Sequence, residues 1–286
     1  MKKILAALLA ALVLFALAAC NKTSETEQTP TDHPPSAELA EDSVPPASDE
    51  PSAEESNDLQ TAPAVCRVKV LTNDGTELLT VNYDDSQPSM GLSFVSLKTA
   101  RVYDPDGEPL SCDGILPGMV VDIQPDGTVM LPYPAQLTAE EIRVVKQEND
   151  LVGLYQRAIV ELWNETTQKD GVAWLGFDFS GLTNLSRGER EALAYLAARE
   201  LEMPFHYREG TWKELAASGF ITEGEDGRWT DGMMLSLSLY QEEESYLGFL
   251  AASTRADGGA ALVLTCMADR QEDGSWTYDT IQPSGT

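Results

Sequence analysis

Cys66-Arg67-Val68-Lys69-Val70-Leu71, the turn Asn73-Asp74-Gly75 and the returning run Glu77-Leu78-Leu79-Thr80-Val81-Asn82-Tyr83 read as a β-hairpin. Apolar and polar residues alternate along the first run, the period of a strand with one face buried. Asp-Gly between such runs is a hairpin turn dipeptide. Working outward, Thr99 to Tyr103 reads as a strand and Asp104-Pro105-Asp106-Gly107 as a turn. Met119-Val120-Val121-Asp122-Ile123, Pro125-Asp126-Gly127 and Thr128-Val129-Met130-Leu131 read as a second hairpin. Four or five short strands with no helix of substance predict a small all-β barrel domain over residues 64–137.

The string Ile115-Leu116-Pro117-Gly118-Met119-Val120-Val121-Asp122-Ile123, running into Tyr133-Pro134-Ala135-Gln136-Leu137, resembles small OB-like barrels of uncharacterised function in secreted lipoproteins of Gram-positive bacteria. The resemblance covers about a quarter of the chain; it implies a fold and is silent on activity. OB folds often bind oligonucleotides, which needs a basic groove and stacking aromatics. This module offers only Arg67, Lys69, Lys98 and Arg101 as cations, against many carboxylates. Nucleic acid is rejected as a partner.

Residues 138–286 read as an α+β domain. Thr138-Ala139-Glu140-Glu141 matches a capping box, and Ile142, Val145, Leu151, Leu154, Ile159, Leu162 and Trp163 follow at roughly helical spacing, predicting one long helix to Thr166. Asp170-Gly171 ends it and Val172 to Phe179 reads as a strand. Ser186-Arg187-Gly188-Glu189 and Thr211-Trp212-Lys213-Glu214 are two further capping boxes, whose helices stop near Pro204 and Gly219. Met233 to Tyr240, Tyr246 to Thr254, Ala260 to Asp269 and Trp276 to Ile281 predict an antiparallel meander. The order resembles cystatin-like or NTF2-like cones by topology alone, which carries no function.

The N-terminus reads as an address. Lys2 and Lys3 precede an unbroken apolar run from Ile4 to Ala19, and Leu17-Ala18-Ala19-Cys20 closes it. The run has the length and flanks of a secretory h-region. The segment resembles a bacterial lipoprotein signal peptide, which implies removal of residues 1–19, a diacylglycerol thioether on Cys20 and a protein held on the extracytoplasmic face of the cell membrane. Two or three acyl chains hold firmly where one binds marginally. Residues 20–63 then form an acidic tether rich in Ser, Thr, Pro and Glu, without an aromatic residue, too polar to offset its ordering entropy. His33 sits within it as a linker residue.

The net charge is −28. Removing the +2 of Lys2 and Lys3 and the −10 of residues 21–63 leaves −20 on the rest of the chain, so the acidity is not confined to the tether. An electropositive footprint is excluded, and the surplus reads as a solvated surface.

Catalytic patterns are absent. There is no G-x-S-x-G elbow, no S-x-x-K and no H-E-x-x-H, and His206 is the one histidine outside the tether. No metal site and no cofactor are expected. Asp178 in Gly176-Phe177-Asp178-Phe179 is the strongest lone carboxylate; it shares a strand face with Trp174, but glycosidase chemistry needs a second carboxylate at a defined separation. A strand-end Asp capping the Ser180-Gly181 turn is the plainer reading. The loop Glu223 to Gly232 holds four carboxylates without calcium-loop spacing. All five tryptophans fall in the last domain, and Trp229, in that loop, is the one expected to be exposed and to contact a ligand. Cys66 and Cys112 are the candidate disulfide pair, with Cys266 left buried and free.

These readings favour a non-catalytic, lipid-anchored protein that binds a small ligand or a partner protein outside the cell. The alternatives are an envelope hydrolase or transferase using Asp178, and an inhibitor or immunity protein.

Overall fold

A computed structural model of the chain describes residues 59–61, 65–83, 91–130, 133–257, 259–272 and 274–281. The chain divides into two units, 1–54 and 55–286, and every described residue lies in the second. The signal segment, Cys20 and His33 lie outside the described residues. None of the described helices is long and apolar enough to cross a membrane.

The chain is mostly β, with a closed barrel and a few helices. The first sheet holds β1 (Leu59–Thr61), β2 (Cys66–Asn73), β3 (Glu77–Asn82), β4 (Leu92–Ser96), β5 (Arg101–Tyr103), β6 (Met119–Met130) and β7 (Ala135–Gln147). β2, β3 and β4 form an antiparallel meander, β4 runs parallel to β7, β7 pairs with β6, and β6 returns to β2. That ring closes a five-stranded barrel, compatible with an OB-like barrel. Its interior is filled by Val68, Val70, Leu78, Val95, Ile115, Val121, Ile123, Leu137, Ala139, Ile142 and Val144. The chain enters β6 through Gly118, at φ +85, where a Cβ would stand 2.7 Å from the Glu148 carbonyl oxygen. Its N–H donates to the Val70 carbonyl at 2.8 Å, so this close approach admits only glycine.

Four expectations are corrected here. Leu59–Thr61, read as tether, pairs antiparallel with the far end of β6. Pro125-Asp126-Gly127 is not a hairpin turn: β6 runs through it as one strand, and the extra residues appear as register shifts against β7. Thr138-Ala139-Glu140-Glu141 caps no helix but lies inside β7, because Leu137, Ala139 and Ile142 fill the barrel while β4, β5 and β6 supply backbone partners. The long helix therefore starts late. It is α1 (Leu151–Glu165), begun by Asp150, whose Oδ1 accepts from the Gly153 N–H at 2.9 Å.

The fourth correction concerns Cys66 and Cys112, which are free thiols. Cys66 starts β2, whereas the Cys112 carbonyl accepts from Asn73 Nδ2, at the strand's other end, at 2.9 Å. Seven strand steps separate those ends by roughly 20 Å, and a disulfide needs Cα atoms within about 7 Å.

The second sheet follows the order β13-β12-β11-β10-β8-β9. Its strands are β8 (Trp174–Gly181), β9 (Tyr207–Glu209), β10 (Gly232–Glu243), β11 (Tyr246–Thr254), β12 (Leu262–Arg270) and β13 (Trp276–Ile281). β10 to β13 are the expected meander; β8 joins it in parallel with β10 on one side and β9 on the other. α2 (Arg187–Glu200) and α3 (Trp212–Ala217) both start at the expected Ser186 and Thr211 capping boxes, with both reciprocal hydrogen bonds formed. α1 lays Leu151, Leu154, Tyr155, Ala158, Ile159 and Leu162 on Phe177, Leu235, Phe249 and Leu264 of the sheet.

One core joins barrel and second lobe. Leu78 of β3 points into the barrel, but Leu79 and Val81 of the same strand, with Leu71 and Leu92, belong to the core of the second lobe. α2 covers β3 and β4 from outside. Strands buried on both faces explain why the alternation at Cys66 to Tyr83 is imperfect. Lys69 of β2, which reads as a solvent-facing residue, is buried at this junction: its Nζ lies 2.8 Å from Glu189 Oε1 of α2 and 3.4 Å from Glu148 Oε2.

Candidate functional site

The structure separates the residues nominated from sequence. Asp178 lies in β8, where its Oδ1 accepts from the Ser180 N–H at 3.0 Å and the Ser180 hydroxyl at 2.6 Å, a local turn cap. Trp229, expected to be exposed, is completely buried. Its ring packs edge-on against Trp212 and Phe220, at centroid distances of 6.4 and 5.4 Å, in a small core with Leu215, Ile221 and Met234. Gly232 makes room for it, since a Cβ there would stand 2.1 Å from the indole. The charged loop misled because charge and glycine mark its rim and not the ring it encloses. In that loop Glu223 accepts from Trp212 Nε1 at 3.2 Å and Asp226 from the Arg228 N–H at 3.1 Å. No group of three or more His, Cys, Asp or Glu among the described residues is arranged to hold a metal ion. His206 is exposed beside Trp174, ring centroids 4.9 Å apart.

Two arrangements were not visible in the sequence. The first is a cleft of about 290 Å³ where the start of α1 meets the β10–β11 turn and β13. Its lining includes Asn149, Leu151, Leu247, Arg270 and Trp276, together with Glu242, Glu243 and Glu244 at the end of β10 and in the turn after it. In the β10–β11 pairing Glu243 stands opposite Tyr246, and the Ser245 carbonyl accepts from the Arg270 N–H at 3.0 Å. Arg270 stands opposite Trp276 in the β12–β13 register. Two side-chain atoms of the lining residues, Asn149 Oδ1 and Trp276 Nε1, are shut off from water and have no hydrogen-bond partner. Each such orphan costs about 1–3 kcal/mol, and buried polar atoms are rarely left so. One is an acceptor and the other a donor. The glutamate run was the only local signal for this cleft; Asn149 and Trp276 meet only through the fold.

The second is a half-buried carboxyl, Glu209 on edge strand β9. Burial, reinforced by the neighbouring Glu191 carboxylate, pushes its pKa up to about 7, with Arg190 and Arg187 of α2 opposing and Asp178 adding slightly. Glu209 pairs with Phe177 and so shares the core-side face of the sheet, whereas Asp178, one residue on, points to the other face. The two carboxyls therefore do not flank one substrate. A carboxyl whose folded pKa exceeds its unfolded value of about 4.3 binds more protons in the native state. Stability is then full below that value and is lost as pH rises toward 7. Glu209→Gln should raise stability at pH 8 by roughly 1–3 kcal/mol, several degrees in Tm, and change nothing at pH 4. Thermal melts at pH 4, 6 and 8 check this; an offset equal at all three would exclude the titration.

No family model matches the chain, and no curated protein matches it significantly.

Proposed function

We infer that the protein is a lipid-anchored, extracytoplasmic binding protein without a catalytic role of its own, which holds a ligand or partner at the cleft between α1, the β10–β11 turn and β13. The observation that carries the binding reading is the cleft itself, about 290 Å³, which sets Leu151, Leu247 and Trp276 beside the carboxylates of Glu242, Glu243 and Glu244. The finer fold reading, an OB-like barrel followed by an α+β lobe with a cystatin-like or NTF2-like order of elements, supports this placement. OB barrels bind ligands on the face of their second and third strands. Those strands are β3 and β4 here, and Leu79, Val81 and Leu92 bury that face under the second lobe. The Asp178 hydrolase reading is weaker, since Asp178 Oδ1 is engaged by the Ser180 N–H and hydroxyl as a local turn cap.

Anchoring rests on Leu17-Ala18-Ala19-Cys20 and the acidic tether behind it. Cys20→Ala should move the protein from the membrane fraction to the soluble or uncleaved pool, and abolish incorporation of a labelled fatty acid. Equal membrane retention and labelling of the variant would overturn the anchor.

A further inference from the structure

We propose that the outward face where β8 meets β9 binds an anionic sugar, a ring carrying a carboxylate or a phosphate, with the charge on Arg208 and the ring beside Trp174. This second site shares no residue with the cleft. Tyr207 pairs with Leu175 and packs on the core, so strand alternation turns its neighbours His206 and Arg208 outward. They stand roughly 7 Å apart on that face. Trp174 of β8 lies against His206, with ring centroids 4.9 Å apart, and Phe220 lies against Trp174 at 5.6 Å. Arg208 Cζ is 5.3 Å from the Phe220 centroid, which closes a four-sided patch. Trp174 and Phe220 are half-buried and held in place by the small core around Trp229, against which both pack. His206 and Arg208 are exposed.

The polar groups of this patch are open. Among the described residues Arg208 makes no ion pair and no side-chain hydrogen bond, on a chain with 47 acidic residues. Asp178, on the same face, is engaged by Ser180 instead. The Trp174 indole N–H has no partner either, and since it is not one of the buried orphan atoms it meets solvent. The His206 imidazole is unbonded beyond its ring contact. A guanidinium resting on an aromatic ring keeps its fork of N–H donors free for two oxygens of a carboxylate or phosphate. The indole and the imidazole then offer hydrogen bonds to hydroxyls. A sugar acid or sugar phosphate uses all three groups, whereas an aromatic carboxylate engages the guanidinium and leaves the other two to water.

The test uses the full chain with its lipid, in micelles of a polyoxyethylene detergent that carries no sugar, labelled with ¹⁵N in its five tryptophans. The probes are glucuronate, glucose 6-phosphate, methyl glucoside, acetate, inorganic phosphate and acetyl-Ala-Ala. At least one of the two anionic sugars should shift one indole signal, saturably, and that signal should be missing in Trp174→Phe. Whichever of them binds fixes the anion that Arg208 takes. Arg208→Gln, an exposed change, should weaken that binding about tenfold to a hundredfold, and the affinity of the parent should fall in high salt. Methyl glucoside should bind parent and Arg208→Gln alike, and more weakly than the anionic sugar. Acetate, inorganic phosphate or acetyl-Ala-Ala binding as tightly would overturn the sugar assignment and leave an anion site. Unchanged affinity in Arg208→Gln would overturn the β8–β9 site. So would spectra that no probe alters, or a shift of the signal lost in Trp276→Phe in place of the Trp174 signal, which would move the sugar to the cleft.

Discussion

Lys69→Met should destabilise the protein by about 3–5 kcal/mol, because it strands Glu189 as a buried carboxylate without its cation. The Lys69 and Glu189 side chains are 10% and 11% exposed, so their 2.8 Å contact is far less screened than a surface pair. Glu189 has a second duty, since its Oε2 accepts from the Ser186 N–H at 2.9 Å and closes the capping box of α2. That bond holds the carboxylate in place even when Lys69 is gone, so the charge has no easy exit. Glu148 is less dependent on Lys69. Burial works against its ionised form, but hydrogen bonds from Lys146 and Tyr83 prevail and hold its pKa below the ordinary range. The decisive measurement is a double-mutant cycle by chemical denaturation, with Lys69→Met, Glu189→Gln and the pair together. Glutamine keeps the cap acceptor and removes the charge, so the double variant should recover most of the loss, with a coupling of at least about 1 kcal/mol. A Lys69→Met cost below about 1 kcal/mol, or strict additivity, would mean that water reaches the junction.

Trp229→Ala should cost about 3–5 kcal/mol, the range for deleting a fully buried large aromatic side chain. The ring is the centre of the small core formed by α3, the loop after it and the start of β10, and little around it can collapse into the space. Leu215 holds α3 against Gly176 of β8, and Arg255 clamps the Trp229 segment by donating to the Trp229 and Thr230 carbonyls, at 3.3 and 2.7 Å. Trp229→Phe should cost under about 1.5 kcal/mol, since Trp229 Nε1 has no hydrogen-bond partner to lose. The pair of variants separates packing from hydrogen bonding. Were Trp229 a ligand contact, the alanine variant would melt with the parent and lose only binding.

What the sequence disclosed was what short-range chemistry controls. The meander was legible because Asp257-Gly258-Gly259 and Asp273-Gly274 punctuate it, and α2 and α3 were legible from capping boxes that are complete within four residues. The same four-residue signature at Thr138 misled, since the choice there is made by β4, β5 and β6, remote in the chain. Lys69 looked like the polar half of an alternation because nothing near it reveals that Glu189 of α2 will come against it. The cleft was hidden for the same reason: Asn149 precedes a helix, Trp276 opens the last strand, and neither is unusual alone.

The strand that closes the barrel, β7, ends at Gln147, and the barrel's outer face on β3 is roofed by α2. A gene fragment cut at residue 137 would thus encode a barrel with an open seam and a greasy flank. Such a piece cannot be shuffled between proteins as an independent module, and heating the intact polypeptide should melt residues 65–281 in a single calorimetric transition.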